Sequence, residues 1–191
     1  MKTKSILFNN EMVCAILNGR KTCTRRIAKF SSGEISKRIK KSPYQVGDIL
    51  YVREAWNKKT KYVGEGKDRH LQDFYEYKAN NFEDAEKPYQ PSIYMPKDAA
   101  RIWLKVVNIK VVRLQDMTEE DCIKEGISPS HCKDCNAPLD CDCCPDEGYN
   151  EVDAFAELWN SSIKKSELEK YGFDANPYVW VIEFEKCKKH N

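Results

Sequence analysis

The sequence predicts an α+β fold in which short strands, closed into a β-barrel, outnumber the helices that flank them. Three observations carry that expectation. Between residues 100 and 114 the apolar side chains alternate, Ile102, Leu104 and Val106 on one parity, then Val107, Ile109 and Val111 on the other. Shorter apolar runs bounded by turn residues stand at 6–8, 49–52 and 177–184. Helical stripes are few and short.

Taken in order, the strand at 6–8 leads into a helix capped by Asn9 or Asn10, with Met12, Val13, Ile16 and Leu17 at helical spacing and Asn18-Gly19 as its stop. Residues 30–44 read as an exposed connection and Val46-Gly47-Asp48 as a turn. A strand over 49–52 then continues through Arg53, Glu54, Ala55 and Trp56. Residues 57–70, with Gly64 and Gly66 among many charges, read as a surface loop. Two short strands are expected at 74–78 and 92–95, separated by a polar, proline-containing stretch. The two parities of the 100–114 strand call for a bulge near Val106-Val107. Thr118 caps the next helix, with Asp121 at its third position, Met117 facing Cys122 as a hydrophobic staple, and Gly126 at its end. A later helix capped by Asn150 carries Val152, Phe155, Ala156 and Trp159 on one stripe, and 177–184 closes the chain as a strand.

The chain of 191 residues contains no stretch resembling a flexible linker, so one domain over 1–191 is expected. Its 41% hydrophobic content, with four Trp, ten Tyr and seven Phe, excludes a disordered polymer. Asn9, Asn10 and Glu11 cut the opening apolar run too early for a signal peptide, and no run reaches membrane-spanning length. The expectation is a cytoplasmic protein with no membrane partner. Net charge is only +2, yet the charges are segregated: residues 20–41 hold nine Lys or Arg against Glu34, and residues 140–157 hold seven acids and no base. The basic stretch suits phosphates, although an ordinary solvated face looks the same in a sequence.

Nine cysteines in a reducing compartment do not suggest a disulfide framework. Cys132/Cys135 and Cys141/Cys144 form two Cys-x-x-Cys pairs, the arrangement that gives tetrahedral zinc its four thiolates. Residues 128–149 are therefore expected to be an insertion stapled by structural zinc, with Cys143 or His131 as a substitute ligand, and no organic cofactor is expected. Reactive thiols, or a chance cluster of cysteines, are the alternatives. Cys23 reads as a small neutral filler, with a reactive thiol as the alternative.

Four segments resemble the ASCH family of PUA-like domains. Residues 6–26, with Gly19-Arg20-Lys21-Thr22-Cys23-Thr24-Arg25-Arg26, look like its opening; Val46-Gly47-Asp48 and the strand after it resemble its second signature. Residues 114–127 are similar to its Thr-Glu-Glu-containing helix ending in Glu-Gly, and 176–184 to its closing strand. The resemblance implies a PUA-like barrel that binds RNA or a modified nucleoside. Small bacterial members hydrolyse the amide of N4-acylated cytidine with a Lys and a Thr of the basic motif and a Glu of the later helix, and the matching positions are Lys21, Thr24 and Glu125. Long members resemble phage-encoded products. A non-catalytic RNA-binding module and a phage-associated interaction module are the alternatives to an amidohydrolase.

The chemistry suits those residue types. A threonine hydroxyl attacks an amide carbonyl only when a base takes its proton, the role open to Lys21, while Glu125 would protonate the leaving nitrogen. Residues three apart point to opposite faces of a strand, so Lys21 and Thr24 can cooperate only across a turn-like backbone. Arg20, Arg25 and Arg26 are expected to contact substrate; the resemblance implies that Arg53, Glu54 and Trp56 line the same cleft, Trp56 stacking on a base or else belonging to the core.

Overall fold

The computed structural model describes residues 1–29, 42–80, 88–128 and 151–189. Seven strands are seen among them: β1 (Thr3–Leu7), β2 (Cys23–Ile27), β3 (Ile49–Arg53), β4 (Trp56–Val63), β5 (His70–Tyr77), β6 (Trp103–Arg113) and β7 (Tyr178–Cys187). The helices are α1 (Asn10–Leu17), α2 (Glu119–Lys124), α3 (Glu151–Ser162) and α4 (Leu168–Tyr171), with short 3-10 turns between elements. No helix among the described residues is long and apolar enough to cross a membrane.

The fold is α+β, but the barrel expectation is corrected. Five strands form a sheet in the order β1-β3-β6-β7-β2, and β4 with β5 forms a separate two-stranded sheet. A barrel closes only when its end strands pair, and β1 and β2 are the two open edges. The reason lies in where the remaining strand candidates went. Residues 74–77 pair with β4 rather than with the larger sheet, and Ser92–Tyr94 turns as a 3-10 helix.

The chain packs as two compact units. The first is Met1–Cys14, Asp48–Lys105 and Lys186–Asn191; the second is Ala15–Gly47 and Val106–Glu185. In the first, β1 runs parallel to β3, and β3 pairs antiparallel with Trp103–Lys105 of β6. Its core gathers Ile49, Trp56, Met95, Ala99, Ala100 and Trp103. Asp48, buried in the turn before β3, accepts from the Lys2 amide and the Lys4 ammonium, which fixes the parallel register.

In the second unit β2 pairs antiparallel with β7, Thr24 facing Ile182 and Arg26 facing Trp180. The core side of this ladder carries Cys23, Val179 and Val181 against Leu114, Met117, Cys122, Phe155 and Trp159. The expected cap of α2 is present, the Thr118 hydroxyl accepting from the Asp121 amide at 3.3 Å. Met117 and Cys122 are both buried in that core, as the staple requires. The Asn150 cap expected for α3 lies outside the described residues, while Phe155 and Trp159 are its buried stripe.

The expected loop at 57–70 is instead most of a hairpin, β4 and β5 joined by the turn at 64–69. Period-2 burial was invisible there because both faces are largely polar: β4 reads Asn57, Lys58, Lys59, Thr60, Lys61 between its two aromatics. Ion pairs Lys58–Asp73 and Lys59–Glu76 and the Thr60–Asp73 hydrogen bond take the place of apolar cross-strand packing.

Candidate functional site

Helix α1 ends at Leu17 and the chain turns through Gly19, whose φ of +79° is open to glycine without strain. The chain reverses there, and the amides of Arg20 and Lys21 both donate to the Ala15 carbonyl, at 2.9 and 3.1 Å. One residue on, the Thr22 amide donates to Lys124 at the end of α2 while its carbonyl accepts from the Phe184 amide of β7, each at 2.9 Å. These four bonds leave Lys21 little freedom. Its side chain, fully buried, donates to the Glu125 backbone carbonyl and to Glu125 Oε2 at 2.7 Å.

Gly126 makes the approach possible. At φ +95°, a Cβ there would meet Ala15 Cβ at 2.8 Å and Lys21 Cβ at 3.1 Å, so a side chain would push α2 off both. Arg20, more exposed, donates to the Gly126 carbonyl and to the Ser128 hydroxyl.

The second oxygen of Glu125 accepts from Arg25 Nη1 at 3.1 Å, and Arg25 Nη2 reaches Asp121 at 2.9 Å. Asp121 and Glu125 are four residues apart on one helical face, which is why one guanidinium can bridge both. That spacing is a signal in the sequence, although Asp121 was expected only as a capping residue. Burial opposes the charge of Arg25, but Glu125, Cys23 and Asp121 more than offset it and hold its pKa above the usual value. Its guanidinium also lies over the Phe155 ring, 5.9 Å from the centroid. Among the described residues its buried Nε has no hydrogen-bond partner. Cys23 stands beside this cluster as the expected neutral filler: burial, then the Glu125 charge, pushes its thiol up to about 12.

Strand alternation sends Thr24 and Arg26 to the other face of β2. There Arg26 Nη1 donates to the Thr24 hydroxyl oxygen at 2.7 Å and to the Arg25 carbonyl at 2.8 Å. Burial lowers the pKa of Arg26, opposed by the charges of Glu125 and Tyr44. The structure thus brings Lys21 and Glu125 into contact and holds Thr24 on Arg26, with Glu125 acting on Arg26 electrostatically. Thr24 sits in a regular strand; the irregular backbone needed to turn Lys21 away from it is confined to residues 20–22.

Arg53, Glu54 and Trp56 belong to the first unit. Arg53 Nε donates to the Met95 carbonyl. Glu54, fully buried, takes a two-pronged contact from Arg101, Nε to Oε1 at 2.9 Å and Nη2 to Oε2 at 2.8 Å. Arg101 also donates to Asn80 and lies 4.0 Å over the Tyr77 ring. Sequence reasoning missed Arg101, since a charged residue at the mouth of a strong β run carries no pattern. Trp56 is buried in the first unit's core, edge-on to Tyr75, and its Nε1 has no hydrogen-bond partner among the described residues.

The zinc expectation is also corrected. No group of three or more His, Cys, Asp or Glu that could hold a metal ion exists among the described residues. Cys132, Cys135, Cys141 and Cys144, with the insertion they were expected to staple, lie outside those residues, so no metal is assigned to the chain.

No family model matches this sequence, and no curated protein matches it. Among solved structures, an ASCH domain from Lactobacillus crispatus is similar to it at 12% identity, over 97% of this chain and 79% of that one, with a TM-score of 0.47. A likeness of this size assigns neither family nor activity.

Proposed function

We propose that the segment from Arg20 to Arg26, together with Glu125, binds a nucleoside, either free or as an unpaired nucleotide of RNA. The observation that carries the reading is the buried Lys21–Glu125 pair, backed by Arg25 and Asp121. Buried ion pairs seldom beat apolar side chains of the same volume in stability, so a core that only had to be stable would gain nothing from this one. A recognition site gains a great deal, because the carboxylate and its cations are held in place before a ligand arrives.

The set also has the right mix of groups. A carboxylate accepts from the exocyclic amine of a cytosine, cations donate to base carbonyls, ring nitrogens or phosphate, and a hydroxyl does either. Sequence-specific RNA recognition reads such edges on unstacked bases. Arg25, turned toward α2 and α3, orients Glu125 from behind, while Arg26 and Thr24 occupy the other strand face. The resemblance of the Gly19–Arg26 segment to the ASCH opening supports the same ligand class.

Calorimetric titration with cytidine, N4-acetylcytidine and a short single-stranded RNA tests this. Arg26→Met and Thr24→Val keep the volume of each side chain, and loss of a charge-assisted hydrogen bond of about 1.5 to 3 kcal/mol predicts a weakening of roughly tenfold or more for Arg26→Met. Absence of binding by all three ligands, or equal affinity in both variants, overturns the reading. Acetate released from N4-acetylcytidine in the same mixtures would add turnover to binding; the geometry supports the binding step.

A further inference from the structure

We infer that the β4–β5 ribbon is a second, independent contact for nucleic acid: an arm whose outer half binds a single strand through Tyr62, Arg69, Lys61 and Lys67. The inference stands on the first unit alone and does not use Lys21 or Glu125.

The two strands pair over eight residues each, from Trp56↔Tyr77 at the base to Val63↔His70 at the turn. Only the base is buried. Trp56, Tyr75 and Tyr77 join the first unit's core, whereas residues 64–73 are exposed throughout. Two-stranded ribbons are marginal in water unless something holds them, and here the holding contacts are charged. Asp73 and Glu76 are taken by Lys58 and Lys59 near the base. Farther out the cations are held differently: Lys61 lies over the Phe74 ring at 5.1 Å and Arg69 over Tyr62 at 4.3 Å, and among the described residues Lys61, Lys67 and Arg69 form no ion pair.

The same outer half exposes apolar surface that a solvated hairpin has no use for. Tyr62 and Leu71 are directly opposite each other and are 61% and 59% exposed. An aromatic ring carrying a guanidinium, next to cations whose charge is not spent on a carboxylate, is the pairing that single strands use: bases stack on rings and guanidinium planes, phosphates take the cations. Glu65 and Asp68 in the turn leave the tip an excess of one positive charge, so contact is local and electrostatically modest.

Fluorescence anisotropy with a labelled oligouridylate of about twelve nucleotides tests the arm on the full chain. Three phosphate contacts predict that the logarithm of affinity falls with the logarithm of salt at a slope of about −2, and Lys61→Ala with Lys67→Ala should remove roughly 1.4 of it. Tyr62→Ser should weaken binding about tenfold or more while leaving the slope unchanged. These side chains are exposed, and unchanged melting confirms that the variants fold. Lys165→Ala, an exposed cation outside the ribbon and outside the Arg20–Arg26 segment, should change nothing. No binding at low salt, or ribbon variants that match the parent, overturns the inference.

Discussion

Replacing Glu125 by Leu removes the carboxylate on which Lys21 and Arg25 converge and leaves two cations in a region where both side chains are almost fully buried. At an effective dielectric of about 20, one pair of charges 4 Å apart interacts by about 4 kcal/mol, and stripping one partner from a buried pair costs about 3 to 5 kcal/mol. Arg25 keeps Asp121 at 2.9 Å and Lys21 keeps the Glu125 backbone carbonyl, which argues for the lower half of that range. For a chain of this size each kcal/mol shifts the midpoint by roughly 2 to 4 °C, so a loss of about 3 to 4 kcal/mol should make Glu125→Leu melt roughly 6 to 16 °C below the parent.

The decisive comparison is the double variant. Lys21→Met alone leaves Glu125 with Arg25 as a partner, and in Lys21→Met/Glu125→Leu no carboxylate and no lysine are left to be buried alone. Its loss should be smaller than the sum of the two single losses by about 1 to 3 kcal/mol, measured by urea unfolding of all four proteins. A single-variant loss under about 1 kcal/mol would show that the pair is solvated rather than buried. Strict additivity would falsify the direct contact itself.

Gly126→Ala should lower stability by about 2 to 5 kcal/mol, combining a left-handed backbone that disfavours a Cβ with overpacking against Ala15 and Lys21; an unchanged melting temperature refutes the close approach. Arg101→Met should cost about 3 kcal/mol or more by leaving the fully buried Glu54 carboxylate without its two-pronged donor, whereas an effect below about 1 kcal/mol would place Glu54 in contact with water. Cys23 and Cys122, both raised from 9.0 to about 12 with burial as the largest cause, should resist iodoacetamide at neutral pH in the native protein while labelling readily in urea. Because the fold keeps these thiols protonated to a higher pH than the unfolded chain does, their contribution is fully present below pH 9 and declines as the pH rises toward 12; the urea midpoint should fall across that window, and a midpoint that rises there contradicts the burial.

What could be read from the sequence, and what could not, separates along physical lines. The cap at Thr118, the staple of Met117 on Cys122 and the stop at Gly19 are local devices, each complete within a few residues, and each stands where its residues placed it. Sheet closure is not local. It depends on which strands pair, and the ribbon of β4 and β5 drew off residues that were expected to belong to the larger sheet. That ribbon was hidden because it is stabilised by cross-strand charges, which have no hydrophobic period to detect.

The candidate site shows the same division within eight residues. Segment 19–26 was visible as a basic, turn-prone run, but a sequence cannot say which of its cations are internal. Alternation decides it: Arg25 shares a face with Cys23 and Ile27 and is committed to Asp121 and Glu125, whereas Arg26 shares the opposite face with Thr24. The two arginines should therefore respond differently to the same change. Arg25→Met removes the brace behind Glu125 and leaves that carboxylate and Asp121 short of a cation, so it should lower stability as well as nucleoside affinity. Arg26→Met should lower affinity with a smaller effect on melting. If Arg25→Met melts like the parent while binding is lost, Arg25 contacts the ligand directly, and the division of labour across β2 is wrong.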